Sequence, residues 1–368
     1  MTERPLITGV IGAGAISDAY LINLTGIFKD YTDVRYISAN HLERATVKAE
    51  KYGLIPLTTD DLISKDDIEL VIILTPVETH YELIRRCLMA GKHVYCEKTI
   101  TLFSKEAEEL IELAKQKNLY LGSAPDTFLG SMIQSARKAI DENMIGDIHS
   151  FGILINRNND ILTSMFRFLR QPGAGILRDY VVYYLTAVVS LLGEVEQVAA
   201  FSAKPYMKRR AIIPGTDEFM KEIETPNEAV VAVTLKMKNG IIGTIHDDSE
   251  SSIMDHSVFN IYGHDGILKL GNANNFGDDV AFIKAIMDYR NPEPPVILEK
   301  GNAYSDNMRG LGACEMVEAI NSNRRQRADA RMALHVLKVL EAIEESAESG
   351  KFIRVDTDFN RPDYFSGL

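Results

Sequence analysis

The sequence predicts an α/β chain of two domains: an N-terminal open parallel sheet wound by helices, then an α+β domain with a large, mostly antiparallel, open-faced sheet. Three observations carry this prediction. Up to residue 124, short apolar runs bounded by turn residues alternate with helix-spaced segments, a rhythm that needs crossover connections and therefore parallel strands. Beyond Ile145 the segments become long and β-rich with few helices between them, which implies one large sheet with helices on one face. At 368 residues and 46% hydrophobic content the chain is too long for one ordinary α/β layer, so it divides into residues 1–124 and 125–368.

Composition narrows the partners. A formal net charge of −12 argues against nucleic acid or an anionic membrane, and the dense basic clusters Lys208-Arg209-Arg210 and Arg324-Arg325-Gln326-Arg327 are short enough to be solvated loops. Cys87, Cys96 and Cys314 are odd in number and widely spaced, without a Cys-x-x-Cys, so neither a disulfide framework nor a thiolate metal site is expected, and a reducing cytoplasm fits. The start moves straight into a glycine-rich turn with no room for a signal peptide. The longest apolar stretch, Tyr180 to Leu192, contains Thr186 and Ser190 and is too short to span a bilayer.

The first strand, Leu6 to Ile11, leads into Gly12-Ala13-Gly14-Ala15-Ile16-Ser17. Gly12 permits a tight turn, and Gly14 lets a pyrophosphate approach the N-terminus of the helix that Ala15 and Ile16 open. Following a strand and preceding a helical pattern, this G-x-G-x-x-small run reads as a Rossmann dinucleotide-binding fingerprint. The second strand, Val34 to Ser38, ends in Ala39-Asn40-His41, where an acidic residue would bond the ribose 2′-hydroxyl and repel a 2′-phosphate. With no carboxylate there, NAD and NADP both remain open and NADP is slightly favoured, Asn40, His41 and Arg44 being placed to face a phosphate. Helix Glu43 to Tyr52 stops at Gly53. The strand Glu69 to Leu74 is closed by Thr75-Pro76 and followed by a helical segment from Glu82 to Ala90, completing a βαβ unit in which His80 reads as a first-turn residue near the cofactor.

Ala90-Gly91-Lys92-His93-Val94-Tyr95-Cys96-Glu97-Lys98-Thr99 is a turn, a buried strand and a charged pair. Ligands of open parallel sheets bind outside the carboxyl ends of the strands, which makes Lys98 the first candidate for chemistry; the alternative is a solvated surface pair. Ser104 caps a helix running from Glu106 to Lys117, Leu119 to Gly122 is the last strand of the domain, and a helix from Leu129 to Glu142 leads out.

Taken together, Gly12-x-Gly14, Thr75-Pro76-x-x-x-His80, Ala90-Gly91-Lys92-His93-Val94 and Glu97-Lys98 resemble the glucose-fructose oxidoreductase, inositol dehydrogenase and MocA family of NAD(P)-dependent sugar and polyol dehydrogenases. The resemblance continues through Glu228 to His246 and Ile261 to Leu268. It implies that Lys98 lies beside the nicotinamide and the substrate hydroxyl. Thr99 stands where the family usually has proline.

In the second domain, His149 to Asn156, Glu196 to Ala203, Ala229 to Lys238, Ile241 to Asp247 and His256 to Tyr262 read as strands, with Lys238-Asn239-Gly240 as a hairpin turn. Gln171-Pro172-Gly173-Ala174-Gly175 enters a helix carrying Asp179 and Tyr183, four apart and so on one face. The family pattern here is Asp-x-Gly-x-His, and this chain resembles a minority branch with tyrosine in the last place, departing at Val181. The residues alone equally allow Tyr180, Tyr183 and Tyr184 to be core aromatics. Arg157, Asn158, Arg167 and Arg170 lie on an expected loop and are candidates for substrate contact or for surface ion pairs. His335 reads as a core histidine, and His246-Asp247-Asp248 and Asp255-His256 as hydrophilic loop ends rather than metal ligands.

The resemblance implies hydride transfer between nicotinamide and a secondary alcohol or ketone of a sugar, inositol or polyol-like substrate. Lys98, Tyr183 and Asp179 are the expected catalytic group; Gly12, Gly14, Ala15, Ile16, Asn40, His41, Thr75, Pro76, His80, Glu97 and Lys98 line the cofactor; Lys98, Arg157, Arg167, Arg170, Asp179 and Tyr183 meet the substrate. The alternative is a non-catalytic dinucleotide-binding sensor or transcriptional co-repressor of the same fold. An open sheet face calls for a homodimer or homotetramer.

Overall fold

The structure, a computed structural model, describes residues 4–171, 174–254, 256–286, 290 and 292–368. The chain forms two compact units, each assembled from separate stretches. One comprises the chain up to Gly130 with Asn302–Leu337 and Pro362–Leu368; the other comprises Ser131–Gly301 with Lys338–Arg361. The chain thus leaves the first unit after Gly130 and returns to it twice. The first return is held by groups that local pattern does not show. The buried Asp126 carboxylate accepts from the backbone N–H of Gly310 at 2.9 Å and of Gly312 at 3.1 Å, capping the start of helix Leu311–Asn321, and Gln326 Nε2 donates to Leu121 O.

The N-terminal unit contains six parallel strands, β1 (Leu6–Ile11), β2 (Thr32–Ser38), β3 (Ile55–Leu57), β4 (Leu70–Ile73), β5 (His93–Cys96) and β6 (Leu121–Ser123), in the order β3-β2-β1-β4-β5-β6. Every residue of β4 is apolar and buried, as a strand covered on both faces must be. Strand order reverses between β1 and β4, so the turn after β1 and the turn after β4 open into the crevice where such sheets take ligands. The connecting helices end where their sequence demands: Leu42–Tyr52 at Gly53, with φ of 71°, and Ser104–Lys117 at Asn118, with φ of 55°. Ser104 is the first helical residue and Phe103 the cap, one place earlier than expected.

The other unit is built on nine strands, β7 (Ile148–Asn156), β8 (Val195–Ala203), β11 (Val230–Met237), β12 (Ile242–Asp248), β13 (His256–Gly263), β14 (Gly266–Leu270), β15 (Ala281–Lys284), β16 (Val296–Ile297) and β17 (Ile353–Arg354). Their order is β16-β15-β14-β13-β7-β12-β11-β8-β17, while β9 (Lys208–Arg210) and β10 (Glu222–Glu224) pair separately. All neighbours are antiparallel except β7 and β12, which the long excursion between them brings together in parallel. The β11–β12 hairpin turns on Gly240, whose φ of 90° suits glycine, and Gly240 N–H donates to Met237 O. Burial alternates strictly along β11 and β12. The covered face receives helix Val182–Leu192, every residue of which is buried, through Tyr184 against Phe259. Register aligns Phe201, Ala232, His246, Leu154 and Val258 across the other face. There Phe201 is 77% exposed.

Candidate functional site

In the N-terminal unit the site begins at the switch point. Gly12 has φ of 120°, and a Cβ there would lie 2.7 Å from the carbonyl carbon and oxygen of Leu74, so only glycine lets the ends of β1 and β4 approach. Gly14 is different. Its φ is −78° and a Cβ would meet nothing within 4 Å, so the fold has no need of glycine there; the missing side chain leaves open ground in front of helix Ala15–Leu24. Ser17 Oγ donates to Gly14 O at 2.7 Å and holds the turn. A helix N-terminus facing an open glycine turn is the donor arrangement a pyrophosphate requires, so these residues fit a dinucleotide. Asn40 and His41 are exposed after β2, with His41 at the residue before the next helix and Arg44 in its first turn.

The turns after β4 and β5 are bound together by His80, which is fully buried with its two ring nitrogens 2.8 Å from Thr75 O and Thr99 O. His80 is therefore a brace behind the expected cofactor lining rather than part of its surface. Thr79 Oγ1 donates to Thr75 Oγ1, and Pro76 is exposed. Glu97 is also largely buried: Oε1 accepts from Tyr20 O–H at 2.7 Å and Oε2 from the Lys98 backbone N–H at 3.0 Å. Its carboxylate thus ties helix Ala15–Leu24 to the end of β5, and Lys98, half-buried, is the side chain of the pair left near the surface. The Lys98–Thr99 peptide is cis, although residue 99 is not proline.

In the other unit, Pro172 and Gly173 of the expected glycine-rich loop lie outside the described residues, as does Asp255. Leu177–Val181 winds as a π-turn before the α-helix starts at Val182, and Asp179 sits on that turn. Arg157 follows the end of β7; its Nη1 lies 3.5 Å from Asp179 Oδ2, and its guanidinium stacks 3.7 Å from the centre of the Tyr180 ring. Tyr183, 8% exposed, packs against Tyr180 at 6.1 Å. Asn272 bridges Tyr180 and Tyr184, donating to the Tyr180 hydroxyl at 2.7 Å and accepting from that of Tyr184 at 3.2 Å. These aromatics are therefore packed as well as placed beside Arg157 and Asp179.

Three expected contacts turn elsewhere. Arg167, exposed, pairs with Asp217 at 3.0 Å, and Arg170 pairs with Glu218 at 2.8 Å while donating to Thr163 O. Asn158 caps helix Asn159–Met165 by accepting from Ile161 N. Among the described residues no group of three or more His, Cys, Asp or Glu side chains is placed to hold a metal ion, and no helix is long and apolar enough to cross a membrane.

Comparison with known proteins bears on this geometry. Residues 6–124 match the model of an oxidoreductase family with an NAD-binding Rossmann fold, GFO/IDH/MocA, and residues 133–269 match the C-terminal domain of the same family. The chain belongs to this family. An uncharacterized oxidoreductase of Schizosaccharomyces pombe is 33% identical over 141 residues, 38% of each chain. An inositol 2-dehydrogenase of Rhizobium meliloti is 28% identical over 188 residues, 50% of this chain and 54% of that one, so these matches span about half or less of either relative. Levoglucosan dehydrogenase in complex with NADH superposes with a TM-score of 0.83 at 20% identity, covering 96% of this chain and 100% of the other, a likeness of fold.

Within this Gfo/Idh/MocA framework, three residues escaped the sequence reading. Asp247, read as a hydrophilic strand end, has its side chain on the covered face of β12, fully buried, and burial pushes its carboxyl up to about 7. The period-2 pattern Gly243, Ile245, Asp247 would have placed it there. Glu228 accepts from Leu177 N–H at 3.4 Å, and burial raises its pKa. Asn159 lines one cleft with Arg157, Asp179 and Glu228, and no sequence signal distinguishes it from a surface amide.

Proposed function

We propose that this chain is an NAD(P)-dependent oxidoreductase that moves a hydride between nicotinamide and a secondary alcohol, or the corresponding ketone, of a sugar, inositol or polyol-like substrate. The observation that carries this reading is the open turn at Gly14, at the switch point of a parallel sheet whose β5 leads directly into Glu97 and Lys98. Relatives named for inositol and levoglucosan support a substrate of this kind. When bound, the nicotinamide supplies the hydride chemistry, and the protein holds the reactants and manages the proton.

Gly12, Gly14, Ala15 and Ile16 take the pyrophosphate, Thr75, Pro76 and Lys98 line the nicotinamide half, and Asn40 and His41 with Arg44 take the adenosine ribose. No carboxylate stands between Ser38 and Leu42, which favours NADP over NAD. Oxidising a hydroxyl releases its proton, and Lys98 and Tyr183 handle it as a coupled pair, the ammonium favouring the ionised phenol. Lys98 acting alone as base is the alternative. Asp179 and Arg157 orient neighbouring hydroxyls, whereas Arg167 and Arg170 are engaged with Asp217 and Glu218.

The row from Phe201 to Val258 on the open sheet face supports association as a homodimer or homotetramer. Three free, buried cysteines fit a reducing compartment such as the cytoplasm. The reading is tested by following nicotinamide absorbance with aldoses, inositols and polyols against NAD and NADP. Reduction with at least one substrate is expected; tight cofactor binding without turnover on any of them would point instead to a dinucleotide sensor.

A further inference from the structure

Four polar side chains are buried in the N-terminal unit around the turn that carries Lys98: Tyr20 on helix Ala15–Leu24, Tyr95 on β5, Glu97 just after it, and Asp126 beyond β6. A buried polar group is unfavourable unless it is bonded, so each has to be accounted for. Asp126 is served by the Gly310 and Gly312 N–H groups. The Tyr95 hydroxyl has no hydrogen-bond partner among the described residues and fits against Gly312, where a Cβ would lie 2.3 Å from its oxygen. The Tyr20 hydroxyl, by contrast, donates to Glu97 Oε1 at 2.7 Å. Burial first, and the Glu97 carboxylate next, push this hydroxyl well above the ordinary phenol range, so it keeps its proton and remains a donor.

The other carboxylate oxygen gives this bond its consequence. Glu97 Oε2 accepts from the Lys98 backbone N–H at 3.0 Å, so one carboxylate joins helix Ala15–Leu24 to the turn after β5. Tyr20 lies about a turn and a half into that helix, whose start faces the open ground at Gly14. The hydroxyl therefore fixes the Lys98 backbone relative to the end of the helix that faces a pyrophosphate. Without it, Glu97 would keep only the bond to its own neighbour and would move with the residue it steadies. Misplacement of a reacting group by about 1 Å can cost about 10²-fold in rate, so such a link bears on turnover.

We propose that Tyr20 is a positioning residue for Lys98, acting through the Glu97 carboxylate to hold the turn after β5 against the helix that opens at Gly14; its part in turnover rests on the oxidoreductase reading. The phenol transfers no proton itself.

The test reads the turn directly and then the reaction. Amide hydrogen exchange of the full chain, resolved to single residues by mass spectrometry, should show the Lys98 N–H exchanging about tenfold or more faster in Tyr20→Phe, with Val71 and Ile72 in β4 unchanged as reporters of global opening. Tyr95→Phe removes a buried hydroxyl outside this link and should leave Lys98 exchange as in the parent. Glu97→Gln can still accept from Tyr20 but sets an amide N–H against the Lys98 N–H; it should speed exchange as Tyr20→Phe does, and it decides the matter if Tyr20→Phe fails to fold. With myo-inositol or D-glucose, whichever the parent oxidises, Tyr20→Phe should lower kcat by about tenfold to a hundredfold at unchanged KM and cofactor affinity. In a Lys98→Met background it should cost nothing further, because it acts through that lysine. Unchanged Lys98 exchange in Tyr20→Phe, equal acceleration by Tyr95→Phe, or an undiminished loss of turnover in the Lys98→Met background would overturn the assignment. Faster Lys98 exchange in Tyr20→Phe, with a parent that reduces neither cofactor on any aldose, inositol or polyol, would refute the oxidoreductase reading and leave the tether standing.

Discussion

Replacing Asp247 with asparagine should make the protein more stable at alkaline pH and not at acid pH. Register places its side chain between Val231 and Ile155 on the covered face of β12. It is fully buried, Oδ1 accepts from Ser249 Oγ at 3.0 Å, and Oδ2 has no hydrogen-bond partner among the described residues. Burial is the main cause that raises the carboxyl from 3.8 to about 7, against the opposing pull of Ser249 and Arg157. Because the folded pKa lies above the unfolded one, the folded chain retains a proton that the unfolded chain has lost. Stability is therefore highest below the unfolded pKa and falls as pH rises towards the folded one. Ionising the buried carboxyl costs the native state roughly 4 kcal/mol. Asparagine keeps the shape, does not titrate, and carries a pH-independent cost of about 1–3 kcal/mol for an imperfectly bonded amide. The stability difference between variant and parent should thus move in the variant's favour by about 3–4 kcal/mol between about pH 4 and about pH 8. Urea unfolding followed by far-ultraviolet circular dichroism measures it, the chain having no tryptophan for fluorescence. Stability curves that stay parallel across that range would refute the reasoning.

Other perturbations follow from the same geometry. Gly14→Val should fold normally, because its φ is ordinary and its Cβ meets open space, yet lose dinucleotide binding; undiminished calorimetric binding would contradict the pyrophosphate assignment. Ala39→Asp should weaken NADP relative to NAD by charge repulsion at the 2′ position, and an unchanged affinity ratio would mean that the ribose is read elsewhere. Phe201→Glu on the open sheet face should lower the mass seen by light scattering towards that of one chain, whereas a parent protein already monomeric at micromolar concentration would remove that interface.

Most of the framework was legible because it is written locally. A six-residue apolar run, two glycines and a helical pattern identify β1 and its turn without reference to anything distant, and alternation located the long strands of the second sheet to within a residue or two. What was missed depends on partners far away in the chain. Arg167 and Arg170 were left open between substrate contact and ion pair because the acids that pair with them, Asp217 and Glu218, lie about fifty residues on, in the β9–β10 excursion. The brace through His80 needs the turn after β5 to fold back onto that after β4, and the cap by Asp126 needs a helix more than 180 residues later. Asp247 was missed for another reason: it was placed at the end of its strand but read with His246 and Asp248 as a hydrophilic end, although its parity along β12 assigned it to the apolar side.

We propose that Lys98, just after β5, and Tyr183 manage the proton of a hydroxyl being oxidised. It is tested most directly by the turnover of Lys98→Met, Tyr183→Phe and their double variant on a substrate found by the polyol panel, with cofactor affinity measured in parallel. Losses of roughly 10²- to 10⁴-fold are expected for each single variant at unchanged cofactor affinity. The double variant should be little worse than either single one, as for residues that act as a unit. Near-parental turnover in Lys98→Met would contradict the claim.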